Sequence, residues 1–184
     1  MRKLIAAINV TLDGFCDHTA MIADEETHQH FNELLSNADT LIYGRKTYQL
    51  MENYWPSVVK NPTGIRQTDA FARLIDNIPK VVYSRTLKNV HWKNTELKNE
   101  INKEELIQLR QQAGKNILVG SPSLIVALAT LDLVDEYQLN IHPVILGNGL
   151  PLFRNIKNRM ELKLLKTKTF GSGVIAMYYE PARK

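Results

Sequence analysis

Cysteine is almost absent: Cys16 stands alone in 184 residues, so no internal disulfide can form and a disulfide-stapled scaffold is excluded. Such sparse use fits a reducing, cytoplasmic setting. Long apolar runs are missing as well. The longest away from the N-terminus, Leu124 to Ala129, falls far short of a membrane span. Met1-Arg2-Lys3 ahead of Leu4 to Ile8 has the opening of an export signal, but Asn9 ends the run and Asp13 follows. No Pro/Gly-rich linker, low-complexity tract or repeat divides the chain, so residues 1–184 read as one domain. Lys and Arg are dispersed rather than clustered among aromatics, which argues against a nucleic-acid surface.

What is present suits a soluble globular fold. Hydrophobic residues make up 44% and charged residues 23%. A chain of this length buries about 70% of its unfolded surface, enough for one well-formed core. Lys and Arg number 23 against 19 Asp and Glu, a net +4 that favours small anionic ligands without demanding them.

The apolar patterning alternates. Lys3 to Val10 is nearly continuous, as expected of a strand covered on both faces. Asp24 to Asn37 has helical spacing at Phe31, Leu34 and Leu35, with Asp24 as N-cap. Thr40 to Tyr43 reads as a short buried strand that breaks at Gly44 into another helical start. Ile65 to Ile78 is helical and is closed by Pro79; Lys80 to Ser84 is a third strand. Asn102 caps a helix through Ala113, Ile117 to Val119 is a fourth strand, and Ser121-Pro122 opens a further helix with Ser121 as its N-cap. Thereafter only strands are expected: Glu136 to Leu146, Glu161 to Thr169 and Val174 to Glu180, the last two joined at Gly171-Ser172-Gly173. The expected class is α/β, with a sheet parallel at first and antiparallel at its C-terminal edge.

Ligands of open α/β sheets bind beyond the carboxyl ends of the strands, and three turns there share one chemistry. Gly44-Arg45-Lys46-Thr47 combines a glycine, two cations, a hydroxyl and a helix start. Ser84-Arg85-Thr86 repeats the cation and hydroxyls. Gly120-Ser121-Pro122-Ser123 supplies amides and a helix dipole without a cation. Each alone can be a purely structural turn. Three in one topological place favour a nucleotide carrying a phosphate beyond its pyrophosphate. No Walker A pattern is present, because Asp39 and Arg45 stand where it needs glycine and lysine, and Gly147-Asn148-Gly149 is not followed by a third glycine and a helix.

Taken in order, Asn9 to Phe15, Asp39 to Tyr48, Val81 to Leu87, Ile117 to Ser121, and Val134 through Gly149 resemble the dihydrofolate reductase-like superfamily, over essentially the whole chain. The closer similarity is to the C-terminal reductase domain of the bifunctional riboflavin-biosynthesis deaminase/reductase. The resemblance implies a twisted, mixed but mostly parallel sheet flanked by helices, NADPH as cofactor and a homodimer. It places Arg45, Ser84 and Arg85 at the 2′-phosphate, Lys46, Thr47, Gly120 and Ser121 at the pyrophosphate with Gly44 in the same turn, and Ala6-Ala7 near the nicotinamide amide. The implied activity is that of a 5-amino-6-(5-phosphoribosylamino)uracil reductase, with a dihydrofolate or pterin reductase and a catalytically idle NADP-binding protein as alternatives. Two departures stand out. His28 falls where dihydrofolate reductases place an acid, and Glu52 to Val59 lacks the arginines with which the riboflavin branch reads a ribose phosphate.

A reductase needs a proton source beside the atom being reduced. Asp24 and His28 lie i, i+4 on one helix face, so Asp24 can orient the imidazole; it can equally be a plain cap. Asp13, in the loop expected to cover the nicotinamide, is a further candidate, though Asp-Gly is also an ordinary turn pair. Trp55 can close over a planar substrate or pack in the core. His28 and His30 are two apart and point to different sides of a helix, so no metal is expected.

Overall fold

A computed structural model describes residues 1–22 and 24–182. An eight-stranded sheet runs in the order β4-β3-β2-β5-β1-β6-β8-β7. The strands are β1 (Leu4–Thr11), β2 (Ala38–Gly44), β3 (Lys80–Tyr83), β4 (Thr95–Lys98), β5 (Asn116–Val119), β6 (Glu136–His142), β7 (Leu162–Thr169) and β8 (Ile175–Pro181). From β4 to β6 every pairing is parallel, and β8 is antiparallel to both β6 and β7.

The helices are α1 (Glu25–Ser36), α2 (Arg45–Lys60), α3 (Arg66–Asn77), α4 (Lys103–Gln111) and α5 (Pro122–Thr130). Strand β1 has the continuous apolar run of a doubly covered strand. Leu4, Ala6, Ile8 and Val10 enter one core with α4 and α5, while Ile5 and Ala7 enter the other with α1, α2 and α3. Burying either set removes apolar area from water at about 25 cal/mol per Å², which is why the alternation tolerates no register slip.

Most boundaries fall within a residue or two of expectation, and three elements depart further. Strand β6 ends at His142, not Leu146, because the amides of Leu146 and Gly147 turn away to the Asp13 carboxylate. Strand β4 has no apolar run to announce it. It is an edge strand held by its ladder to β3, from Lys80↔Thr95 to Tyr83↔Lys98. Helix α2 continues through Pro56 to Lys60, where only a helical start was expected. One half-buried carboxylate, Asp135, pins the amino ends of the central strands. Arg110 Nη2 reaches both oxygens of Asp135 at 2.6 Å, and the same carboxylate accepts the Leu4 amide at 2.9 Å.

His30 on α1 lies 3% exposed among Phe31, Phe170 and Tyr178, tying the helix to the β7–β8 hairpin. Burial, aided by Lys168, pushes its imidazole down to about 4. The unfolded chain takes up that proton near pH 6.5 and the folded one resists it, so the stability from a neutral His30 is complete above 6.5 and lost as pH falls towards 4. We expect a loss of about 2–3 kcal/mol across that window. Denaturant titrations from pH 7 to 4 should show a flatter dependence for His30→Phe, with a residual slope from His142, which burial also lowers, and from carboxyls such as Asp24 and Asp76 that the fold holds below their ordinary value. An unchanged slope in the variant contradicts the assignment.

Candidate functional site

Strands β2 and β5 are neighbours, with Ile42 opposite Val119, so the turns that follow them emerge side by side. The Gly44 amide donates to Ser121 Oγ at 2.9 Å and joins the two turns. Ser121 occupies the N-cap position of α5, but its oxygen serves Gly44 rather than its own helix. Helix α2 likewise starts at Gly44 without a side-chain cap, whereas α1 and α4 are capped by Asp24 and Asn102. Two helix N-termini, each with unmet amides and partial positive charge, therefore face the same space. The close approach assigned to a glycine belongs to Gly120, where a Cβ would stand 3.4 Å from the Ala7 carbonyl oxygen. Gly44 has extended backbone and ordinary room, with its nearest neighbour at 3.6 Å.

On the other side of β2, Gly44 pairs with Tyr83, which brings Ser84-Arg85 beside Arg45. Ser84 is buried and folds its own turn, its oxygen accepting from the amides of Thr86 and Leu87 at 3.2 and 2.9 Å. Arg45, Lys46 and Arg85 are exposed, Thr47 half-buried, and among the described residues none of these three cations forms an ion pair. The loop after Arg85 is anchored to α2. Tyr48 donates to Glu52 at 2.5 Å and accepts the amides of His91 and Trp92 at 3.1 Å each. Helix N-terminal amides, the Ser121 hydroxyl and three cations without an ion pair among the described residues thus line one strip across the ends of β5, β2 and β3, a set suited to an anion.

The second half of the site lies under α1. His28 is half-buried, with its ring edge-on to Trp55 and Phe71 at 6.5 and 6.1 Å. Its Nδ1–H donates to the Asp24 backbone carbonyl at 3.0 Å, leaving Nε2 as the outward nitrogen. Asp24 therefore orients the imidazole through its backbone and not through its carboxylate, which caps Thr27 at 2.7 Å. Burial pushes that carboxyl up, but hydrogen bonds from Ser172 and Thr27 outweigh it and hold it below its ordinary value.

Asp13 is a clamp between loops. Its exposed carboxylate accepts Thr11 Oγ1 at 2.6 Å and the amides of Leu146 and Gly147 at 3.0 and 2.7 Å. The bonds from Thr11 and Gly147 lower its pKa further, which leaves it a poor proton donor at neutral pH. Trp55 packs on Phe71 at 4.5 Å as part of the core beneath α2 and α3.

Two residues escaped the sequence reading. Asn140 Nδ2 donates to Asn9 Oδ1 at 3.2 Å, across the β1–β6 ladder at the same end of the sheet. A signal was available: Gln138, Asn140 and His142 alternate with Tyr137, Leu139 and Ile141, an unusual polar stripe in an interior strand.

The RibD C-terminal domain family model matches residues 2–176. Uncharacterized protein YyaP of Bacillus subtilis (strain 168) is 37% identical over 182 residues, covering 97% of this chain and 94% of its own. A pyrimidine reductase-like protein from Corynebacterium diphtheriae shares the fold at TM-score 0.68 and 16% identity, covering 100% of this chain and 93% of its own. Dihydrofolate reductase from Enterococcus faecalis, complexed with NADP(H), superposes at TM-score 0.64 and 12% identity, covering 98% and 97%. Across the strand order, the paired turns and a family match over nearly its full length, the chain belongs to the RibD C-terminal domain family, reductase-type domains on the dihydrofolate reductase-like fold.

Proposed function

We propose that the protein is an NADPH-dependent reductase that delivers hydride to a C=N bond of a small heterocyclic or imine substrate, giving CH–NH with one proton taken from the medium and NADP⁺ released. The observation that carries this reading is the pair of uncapped helix N-termini joined by Gly44 and Ser121 beside three unpaired cations. Arg45 and Arg85, with Ser84 shaping the turn, would hold the 2′-phosphate; Lys46, Thr47, Gly120 and Ser121 would hold the pyrophosphate. The Ala7 backbone, whose carbonyl lies beside Gly120, would meet the carboxamide. Bound there, the reduced nicotinamide supplies hydride.

His28 carries the proton in this reading. Its Nδ1 is committed to Asp24, so a proton taken up by the ring resides on Nε2, the nitrogen free to pass it on. Asp13 keeps the loop over the cleft in place, and Asp24 keeps the imidazole in orientation.

The riboflavin-type substrate, a phosphoribosylaminouracil, is the first candidate on family grounds. One observation favours a second. Residues 52–59 form the C-terminal half of α2 and contain no arginine, so that wall offers a ribose phosphate no guanidinium, and a pterin-type ring without phosphate suits it equally.

Equilibrium binding tests the cofactor assignment. Arg45→Ala and Arg85→Ala should each weaken NADPH at least about tenfold while changing NADH about twofold or less, because only the former carries the 2′-phosphate. Equal losses for both nucleotides contradict it. His28→Phe should lower kcat about 100-fold or more with NADPH affinity intact. A variant that keeps full turnover excludes His28 as the proton source, and a wild type that binds NADPH but reduces no pterin, aminouracil or imine identifies an idle binding protein.

A further inference from the structure

A backbone amide taken out of water needs a partner, and outside helices and sheets that partner is often a side chain. Residues 85–92, the loop that follows β3 and carries Arg85, make no backbone–backbone hydrogen bond among the described residues. Side chains hold this loop instead, near each of its ends. At the start, Ser84 Oγ accepts the Thr86 and Leu87 amides at 3.2 and 2.9 Å. At the far end, the His91 and Trp92 amides are each shared between two oxygens. Tyr48 Oη lies 3.1 Å from both, and Glu52 Oε1 lies 3.1 Å from His91 N and 3.0 Å from Trp92 N. Tyr48 and Trp92 are buried, so water does not readily replace either oxygen.

The two oxygens belong to one helix. Tyr48 and Glu52 stand i, i+4 on α2, and the Tyr48 hydroxyl donates to Glu52 Oε1 at 2.5 Å. Tyr48 follows Arg45, the first residue of α2, by three positions. The helix that presents Arg45 therefore also grips the far end of the loop that presents Arg85. Both guanidinium groups are exposed, and neither forms an ion pair among the described residues, so no contact of their own fixes how they stand to one another. Their spacing is set through the backbone, at the near end by the pairing of Gly44 with Tyr83 and at the far end by this clamp.

We infer that Tyr48 and Glu52 are positioning residues that set the preference for a nucleotide bearing a 2′-phosphate. Two guanidinium groups hold one phosphate only if both reach it at once, and an arginine on a loose loop spends part of the binding energy on its own ordering. The clamp orders the Arg85 arm before the ligand arrives. The turns assigned to the pyrophosphate are joined separately, by the Gly44–Ser121 bond, and do not depend on it. Losing the clamp therefore acts on the 2′-phosphate and spares the rest of the nucleotide. The inference rests on the placement of Arg45 and Arg85 at that phosphate.

Equilibrium binding of NADPH and of NADH to the full chain, in wild type and four variants, provides the test. Glu52→Ala should lower the preference for NADPH about fivefold or more while changing NADH affinity about twofold or less. Glu52→Gln keeps an oxygen for both amides and should stay within about twofold of the wild-type preference. Tyr48→Phe leaves Glu52 to hold the loop alone and should lower the preference about threefold. A purely structural role would weaken both nucleotides alike. The positioning role is overturned if Glu52→Ala keeps the wild-type preference, loses both nucleotides equally, or does no worse than Glu52→Gln. Should Glu52→Ala not fold, Tyr48→Phe decides by the same ratio. Arg85→Ala separates this inference from the reading beneath it. If that variant abolishes the preference and Glu52→Ala does not, the clamp has no part in selectivity and the nucleotide assignment stands; if Arg85→Ala leaves the preference intact, the 2′-phosphate assignment itself fails.

Discussion

The hydrogen bond from the Gly44 amide to Ser121 Oγ joins the two turns on which the proposed chemistry rests. Parallel neighbours β2 and β5 each end in a turn that opens a helix, and by itself each turn is ordinary. Tying them makes one surface from two helix termini whose amides have no side-chain cap. Their partial charges add rather than disperse, and an anion bridging the two meets both without distorting either. Gly120 lies beside the Ala7 carbonyl on β1, so the joined turns sit against the central strand.

That geometry is a property of the sheet order. Because β5 lies between β2 and β1, the turns after β3, β2 and β5 form a row that leads to β1, and β6 continues it to the Asn9–Asn140 pair. A row of this kind suits an elongated ligand with its charged part at one end and its reactive ring at the other. The cleft end is closed from above by α1, whose start is held by three separate contacts. Asp24 caps Thr27, Glu26 accepts the Gly171 amide at 2.6 Å, and the ring of His142 accepts the Ile22 amide at 3.0 Å. The β7–β8 hairpin thereby acts on the site at a distance, by fixing the helix that carries His28.

Much of this could be read from residue order because the responsible signals are local. The continuous apolar run of β1, the cap at Asp24 and the Gly44-Arg45-Lys46-Thr47 turn are each written within about ten residues of chain. What could not be read depends on partners far away. Strand β4 exists through its ladder to β3, and β6 stops where it does because Asp13, 133 residues away from Leu146, captures that residue's amide. The roles within the site divide in the same way. Gly44 and Ser121 were recognisable as turn residues, but that Ser121 would serve Gly44 instead of α5 follows only from the pairing of β2 with β5. Asn140 went unread although Gln138, Asn140 and His142 form a polar stripe along β6, and its contact with Asn9 appears only once β1 and β6 are paired.

The central claim is that the β2–α2 and β5–α5 turns bind one dinucleotide together. Amide hydrogen exchange resolved to segments 44–48 and 120–126, with and without NADP⁺, tests it most directly. The account predicts slower exchange in both segments at the same nucleotide concentration, with a smaller effect at 84–87. Slowing in only one of the two, or protection confined to another part of the sheet, contradicts it.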